Sequence, residues 1–451
     1  MKRFGFALLA FTLMLMLSVA AVSAQGTSRL YTIVFRGNSI PSNAAQLVQN
    51  AGGQLLRTHP QVGVASAVSS NPNFAANLSG ARGVLAVGAM NFRSLPPLEV
   101  QINADAPNPA VDNLFPLQWD IRRVNADQAW AEGYTGSHNT VVSVIDTGVA
   151  SNHPDLAPNL VYAACYASTP TCSVYPDLHW HGTHVAGTVA ATFGGGRVVG
   201  VGPNLGLASY NVFEVIPDCG ICAYDEPIWA AMLDTASRGF EVINMSLGGT
   251  IFRNDQSGNA TWHAWSRVAN YVARQGVTIV ASAGNDNTSS NGPIAHIPSD
   301  LSDVISVGAT GIRPNPAYPQ PGAFDVRAFY SNYGAAVDIA APGGDCGLPD
   351  SCDPATRPAN WFNYLVLSSF VTVSPACAAT ASCPPGYAFA AGTSMASPHV
   401  AGVAGLMKDV NPGLNPQQVE ARLQQTAQSL GDRQQFGHGM VDALAAVLRV
   451  S

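Results

Sequence analysis

The stretch "TVVSVIDTGV", residues 140–149, sets Val141, Val142, Val144 and Ile145 in a nearly continuous apolar run and closes it with Asp146 and Gly148. A strand solvated on one face alternates apolar and polar residues; this one does not, so both of its faces are buried, as in a parallel sheet covered by helices. Four more runs of the same kind follow, "LASYNVF", "EVINMS", "VTIVAS" and "DVISVGA", separated by helical or loop stretches. The pattern predicts an α/β fold in three layers, with helices on both faces of a mainly parallel sheet. In such sheets ligands gather at the carboxyl ends of the strands, which is where Asp146 stands.

An aspartate at that position is commonly a turn residue. Asp-Thr-Gly also invites an aspartic protease reading, but that chemistry needs two carboxylates sharing a proton, and no second Asp-Thr-Gly or Asp-Ser-Gly occurs. Downstream, "DLHWHGTHVAGTVAA", residues 177–191, spaces His181 and His184 for one helical face, with His179 and His153 nearby. Zinc would take such ligands, yet the metalloprotease pattern lacks its glutamate. The alternative is that His181 opens a helix of small residues and turns its ring toward the sheet's edge as a general base. A third polar position lies in "AAGTSMASPHVAGVAGLM", residues 390–407, where Ser394 falls in the first turn of a helix. It either caps that helix or sits where exposed N–H groups face a developing negative charge.

The context narrows these options. The chain has 451 residues, nearly half hydrophobic and rich in Gly and Pro, enough for a large core plus a smaller unit. Residues 1–24 carry Lys2 and Arg3, an apolar run and a small-residue end, the pattern of a secretory signal peptide; no later run is long enough to span a bilayer. The mature protein is expected to be secreted, soluble and monomeric, with no membrane partner. All eight cysteines lie beyond Tyr162 in four close pairs: Cys165 with Cys172, Cys219 with Cys222, Cys346 with Cys352 and Cys377 with Cys383. Export favours disulfides, and nearest-neighbour pairing is the simplest connectivity. Residues 25–105 hold five Arg or Lys against two acids, whereas the remainder holds fourteen against twenty-six. That acidic balance argues against a nucleic-acid partner and suits a basic leading segment docking on an acidic body. The leading segment reads as a small α+β unit: strands in "RLYTIVFRG", "GVASAVSS" and "GVLAVGAM", helices in "AAQLVQNAGG" and "NFAANLSGA". The Pro-rich "LPPLEVQINADAPNPAVDN" after it reads as a linker.

Taken together, "VVSVIDTGV", "HGTHVAGTVA", "INMSLGG", "ASAGNDN" and "GTSMASPHVAG", in this order and at these separations, resemble the subtilisin family of serine peptidases. The resemblance runs from Gln118 to the closing "GHGMVDALAAV". It implies a secreted serine endopeptidase acting on protein or peptide substrates without a catalytic cofactor. Ser394 would be the nucleophile, His181 its base and Asp146 the carboxylate orienting the ring, in the chain order of this family. Asn285 would donate to the oxyanion. Substrate would lie as a strand beside Ser246, Leu247, Gly248 and Gly249. Ser282, Ala283 and Gly284 would wall the main side-chain pocket, with His296 where many relatives have a smaller residue. Residues 25–104 resemble the family's propeptide, a folding template and inhibitor of the catalytic domain, 105–451, that the enzyme removes itself; the junction is expected between residues 93 and 115.

Two departures from the family pattern stand out. Its common calcium site would draw on Asp155 and a residue such as Asp112, but the loop after the histidine helix reads "FGGGRVVG", with Arg197 where relatives place Asn ligands. A structural calcium ion is therefore an open expectation. Residues 341–391 form a long insertion with two cysteine pairs, bordering the cleft or forming a stapled surface hairpin. A binding protein that kept the fold and lost the chemistry would not need the full set Asp146, His181, Asn285 and Ser394; a transpeptidase would keep it.

Overall fold

Val141–Asp146 is a strand buried along its whole length and flanked on both sides. The computed structural model describes residues 27–95, 100–103, 114–167, 179–194, 197–217, 219–313, 325–347, 352–374, 377 and 383–450. Across the main sheet the order is Asp325–Arg327, Ile305–Ile312, Thr278–Ser282, Val242–Met245, Val141–Asp146, Gly206–Asn211 and Leu160–Cys165, with Ile339–Pro342 also pairing Ile305–Ile312. Every pairing is parallel except that of Asp325–Arg327. The five apolar runs read in the sequence supply its central strands.

Successive side chains of a strand point to opposite faces, and here each face meets helices. Val142 and Val144 share one core with the helices His181–Ala190 and Thr393–Val410. Ser143, between them, accepts a hydrogen bond from Thr235 of the helix Asp225–Arg238 at 3.1 Å. That helix packs on Gln256–Arg274, so the domain is a three-layer α/β sandwich.

The chain divides into two compact units between Met90 and Asn91. In the first, strands order as Gln54–His59, Val64–Ser69, Arg29–Phe35 and Val84–Ala89, all antiparallel. Helices Ala44–Asn50 and Phe74–Ser79 complete a core of its own around Ile33, Phe35, Val48, Phe74 and Leu78. Gln54–His59 was not legible because it is a largely exposed edge strand with no apolar period.

Two expectations need correction. The Pro-rich linker holds a strand, Val100–Asn103, which pairs antiparallel with Pro385–Ala390. Local composition signalled a breaker, and a partner almost three hundred residues away overrides it. The insertion, in turn, is no surface hairpin. Its strand Val366–Val371 is buried throughout, pairs with Pro385–Ala390, and lies against the histidine helix, where Ser368 donates to the carbonyl of His184 at 2.8 Å. Phe370 stacks on Trp180 at 5.6 Å.

Disulfides join Cys219 to Cys222, Cys346 to Cys352 and Cys377 to Cys383, the nearest-neighbour pairing. Cys165 is also disulfide-bonded; Cys172 lies outside the described residues. No helix among the described residues is long and apolar enough to cross a membrane, and residues 1–24 are not among them.

Candidate active site

Asp146 closes the central strand and is fully buried. Its Oδ1 accepts from the backbone N–H of Thr147 at 2.7 Å and from His181 Nδ1 at 2.8 Å. The histidine can start its helix this close because residue 182 is glycine: a Cβ there would lie 2.1 Å from the carbonyl oxygen of Gly148. Thr147 adds a clamp, its hydroxyl accepting from Gly182 N–H at 2.9 Å. With Nδ1–H held by a carboxylate, the neutral ring presents its lone pair at Nε2, which has no hydrogen-bond partner among the described residues.

The neighbouring histidines are placed differently. His184 donates from Nε2 to the Ala388 carbonyl at 3.0 Å, and burial pushes its pKa down to about 3, so it is a neutral packing residue. His153 faces the Gly386 carbonyl and is pushed down to about 4 by burial; His179 is pushed down to about 4, chiefly by burial. Among the described residues no group of His, Cys, Asp or Glu is arranged to hold a metal ion.

Ser394 is the second residue of the helix Thr393–Val410, which packs against the histidine helix. Pro398, four residues on, has no N–H, so the carbonyl of Ser394 loses its helical donor. Ser246 replaces it, its hydroxyl donating to that carbonyl at 2.7 Å while Asn244 Nδ2 donates to Ser246 at 3.0 Å. The proline thereby ties the turn bearing Ser394 to the "SLGG" segment. In return, Ser394 Oγ donates to the Ser246 carbonyl at 3.2 Å, and no hydrogen bond joins it to His181. That differs from the direct serine to histidine contact implied by the resemblance; the hydroxyl occupies one rotamer of several that a serine can adopt.

Asn285 follows the strand Thr278–Ser282 and is oriented by Thr393, whose N–H and hydroxyl both donate to Oδ1, at 2.9 and 2.7 Å. Because an N–H can be met only by the carbonyl end of the amide, the NH₂ end is fixed by elimination. Nδ2 is buried and has no partner among the described residues. A buried donor left unpaired costs about 1–3 kcal/mol, which an arriving oxyanion would recover. Thr393 was missed in the sequence: as a neighbour of Ser394 it carried no signal beyond helix capping.

On one side of the cleft, Gly249–Phe252 pairs with Ile294–Ile297, setting Thr250 opposite His296. The His296 ring lies between Gly248 and Gly284: a Cβ on Gly248 would be 2.2 Å from its Cε1, and one on Gly284 2.7 Å from its Nε2. Ser299 Oγ, at 3.0 Å from Nδ1, fixes the ring, and burial, then the charge of Arg93, pushes its pKa down to about 4. A neutral imidazole thus fills space between the segments 246–249 and 282–284.

Residues 92–94, within the segment read as a propeptide, lie beside the segment 246–249. Phe92–Ser94 pairs antiparallel with Gly220–Tyr224, and Ser94 bridges to Gly248 on its other side. Arg93 forms a two-pronged ion pair with Asp225, Nε to Oδ1 at 2.8 Å and Nη2 to Oδ2 at 3.1 Å. The partners are 132 residues apart, and no local pattern links them.

A family model described as the subtilase family matches residues 137–439. The chain belongs to the subtilase family. Alkaline elastase YaB from Bacillus sp. (strain YaB) is 34% identical over 353 residues, 78% of this chain and 75% of that protein. Subtilisin DY from Bacillus licheniformis is 33% identical over 334 residues, 73% of this chain and 98% of its own length. Among solved structures, the epidermin leader peptide processing serine protease (EpiP) from Staphylococcus aureus matches the fold with a TM-score of 0.72 at 22% identity, over 94% of this chain and 99% of that one. A protease from Pseudoalteromonas arctica gives a TM-score of 0.59 at 29% identity, over 76% of this chain and 99% of that one. The subtilase is a serine endopeptidase, a hydrolase of peptide bonds.

Calcium binding is typical of the family, and Asp155, the residue singled out for it, is fully buried here. Its Oδ2 accepts from the backbone N–H groups of Arg197 and Val198, both at 3.4 Å. A calcium site needs converging oxygens, and residues 195–196 of this loop lie outside the described residues. Asp112 lies outside the described residues.

Proposed function

We propose that the subtilase cleaves peptide bonds through an acyl-enzyme on Ser394, with His181 as general base and Asp146 holding its tautomer. The observation carrying this reading is the buried Asp146 to His181 Nδ1 bond of 2.8 Å, which leaves Nε2 the proton acceptor. A hydroxyl is a weak nucleophile until such a base takes its proton, and the imidazolium formed needs the adjacent carboxylate. Asn285 Nδ2 and the Ser394 N–H stabilise the oxyanion. No metal or other cofactor takes part in these steps.

The test is fluorophosphonate labelling of the secreted protein with the adduct mapped by mass spectrometry. Labelling at Ser394 alone is expected; absence of an adduct on folded, leader-free protein refutes the nucleophile assignment.

Residues 1–24 act as the signal for export, and residues 25–104 as a propeptide that the enzyme removes, acting thereafter as a monomer on extracellular proteins or peptides. Parallel sheets are built from non-local contacts and fold slowly, so a template unit has a physical role. The Ser394→Ala protein is expected to retain the leading unit covalently after secretion. Clean removal in that variant, with no protease added, would show that another enzyme does the processing.

Ser246, Leu247, Gly248 and Gly249 take the substrate strand, and Ser282, Ala283 and Gly284 line the pocket for the residue before the scissile bond. His296 closes that pocket, so small side chains are expected there. His296→Gly should raise the preference for Phe or Leu over Ala by about tenfold or more, since pocket volume is worth roughly 10–200-fold per methylene-sized step. An unchanged Phe to Ala ratio of kcat/KM would remove His296 from the pocket.

A further inference from the structure

In the strand Phe92–Ser94 the side chains alternate in exposure. Phe92 and Ser94 are exposed, whereas Arg93 between them is 1% exposed. Of three successive residues lying in the cleft, the body reads only the arginine. It does so through a built slot. Asp225, itself fully buried, meets the guanidinium on both oxygens, the geometry an arginine satisfies and a lysine does not. Trp265 lies under the cation at 5.9 Å. Gly249 leaves the room for it: a Cβ there would stand 3.2 Å from Nη1, and its carbonyl accepts from Nη1 at 3.4 Å.

Asp225 begins the helix Asp225–Arg238, where an acidic residue is ordinarily explained by the helix dipole. That explanation does not require burial. Burial raises the carboxyl pKa and the charge of Arg93 opposes it, the only cation the described residues bring to this group. A buried carboxylate whose sole counterion sits on a removable segment is left uncompensated when that segment goes.

The direction of the strand gives the consequence. Ser94 bridges antiparallel to Gly248, so the chain runs from Phe92 to Ser94 toward Leu247 and Ser246, whose carbonyl touches Ser394 Oγ. A substrate lying in the same strand position presents to Asp225 a residue upstream of its scissile bond. We propose that Asp225, with Gly249 and Trp265, is an arginine-selective subsite of the processed enzyme, occupied by Arg93 until the leading segment leaves. This rests on the catalytic reading above, with Ser394 as the reacting residue, and adds a charge preference to it.

Two measurements decide it on processed wild-type enzyme. Position-scanned peptides should reveal one upstream position where Arg exceeds Gln by about tenfold or more in kcat/KM, with Lys between them, and Asp225→Asn should bring that ratio close to one. Separately, a labelled peptide of residues 86–97 should bind at least tenfold more tightly than its Arg93→Gln counterpart. Hydrolysis with no position favouring Arg overturns the subsite while leaving the catalytic reading intact. Equal binding of the two peptides also overturns it, even where no hydrolysis is seen; absent hydrolysis together with absent Ser394 labelling would instead count against the catalytic reading.

Discussion

Replacing Ser394 or His181 by Ala is expected to lower kcat by about 10⁶-fold, and replacing both should cost hardly more than either alone, a magnitude carried over from subtilisin rather than obtained from this geometry. The non-additivity is the informative part. His181 Nε2 can help only by taking the proton of a hydroxyl, so once the hydroxyl is gone the base has nothing to act on. Asp146→Asn should fall short of this, with a loss of about 10⁴-fold, because the ring remains in place while its tautomer is no longer fixed. The carboxylate accepts from both the ring and the Thr147 N–H through Oδ1, whereas an amide can turn either its oxygen or its NH₂ to the ring, and the NH₂ would favour the tautomer protonated at Nε2. Active-site titration and kcat on a chromogenic peptide check all four variants, with the leading unit removed by added protease so that failed processing is not mistaken for failed chemistry. Additive losses for Ser394 and His181 would mean that they do not act as a unit.

Much of this site could be read from the chain because each polar residue sits at the end of a regular element. Asp146 ends a strand whose apolar run is unmistakable, and His181 and Ser394 begin helices of small residues. Asn285 follows the strand Thr278–Ser282 by three positions. These are local signals. What escaped depends on pairs that sequence keeps far apart. The bond from Ser246 to the Ser394 carbonyl spans 148 residues, and only the missing N–H of Pro398 explains why it forms. Arg93 and Asp225 each look ordinary alone, one a charge after a strand and the other an acid at a helix start. Val366–Val371 illustrates what stayed undecided: flanked by cysteines, prolines and small residues, it left a cleft border and a surface hairpin both open, and its tertiary partner, the histidine helix, makes it core. Asp155 was singled out as a calcium ligand; that the N–H groups of Arg197 and Val198 meet its Oδ2 depends on backbone direction, and that direction is not written in "FGGGRVVG".

Asn285→Ala is expected to lower turnover by about 10²–10³-fold, or roughly 2.7–4 kcal/mol in the barrier, with little change in KM; here again the magnitude is that of subtilisin itself. The asymmetry between kcat and KM follows from where the donor points. Both Thr393 contacts go to Oδ1, so Nδ2 has no role in holding the loop and is free for an oxygen that becomes negative only as the tetrahedral species forms. A competing explanation is that Asn285 matters only because it anchors Thr393, and through it the turn bearing Ser394. Asn285→Asp separates the two. It keeps the acceptor for Thr393 but replaces the donor with a charge that repels the oxyanion, so it should be at least as impaired as Asn285→Ala. Thr393→Val should lose less than either, because it removes one of the two bonds to Oδ1 and leaves the backbone N–H to orient the amide. Were Asn285→Asp to retain near-normal kcat while Asn285→Ala did not, the side chain would be an anchor for the helix start and the oxyanion would need another donor.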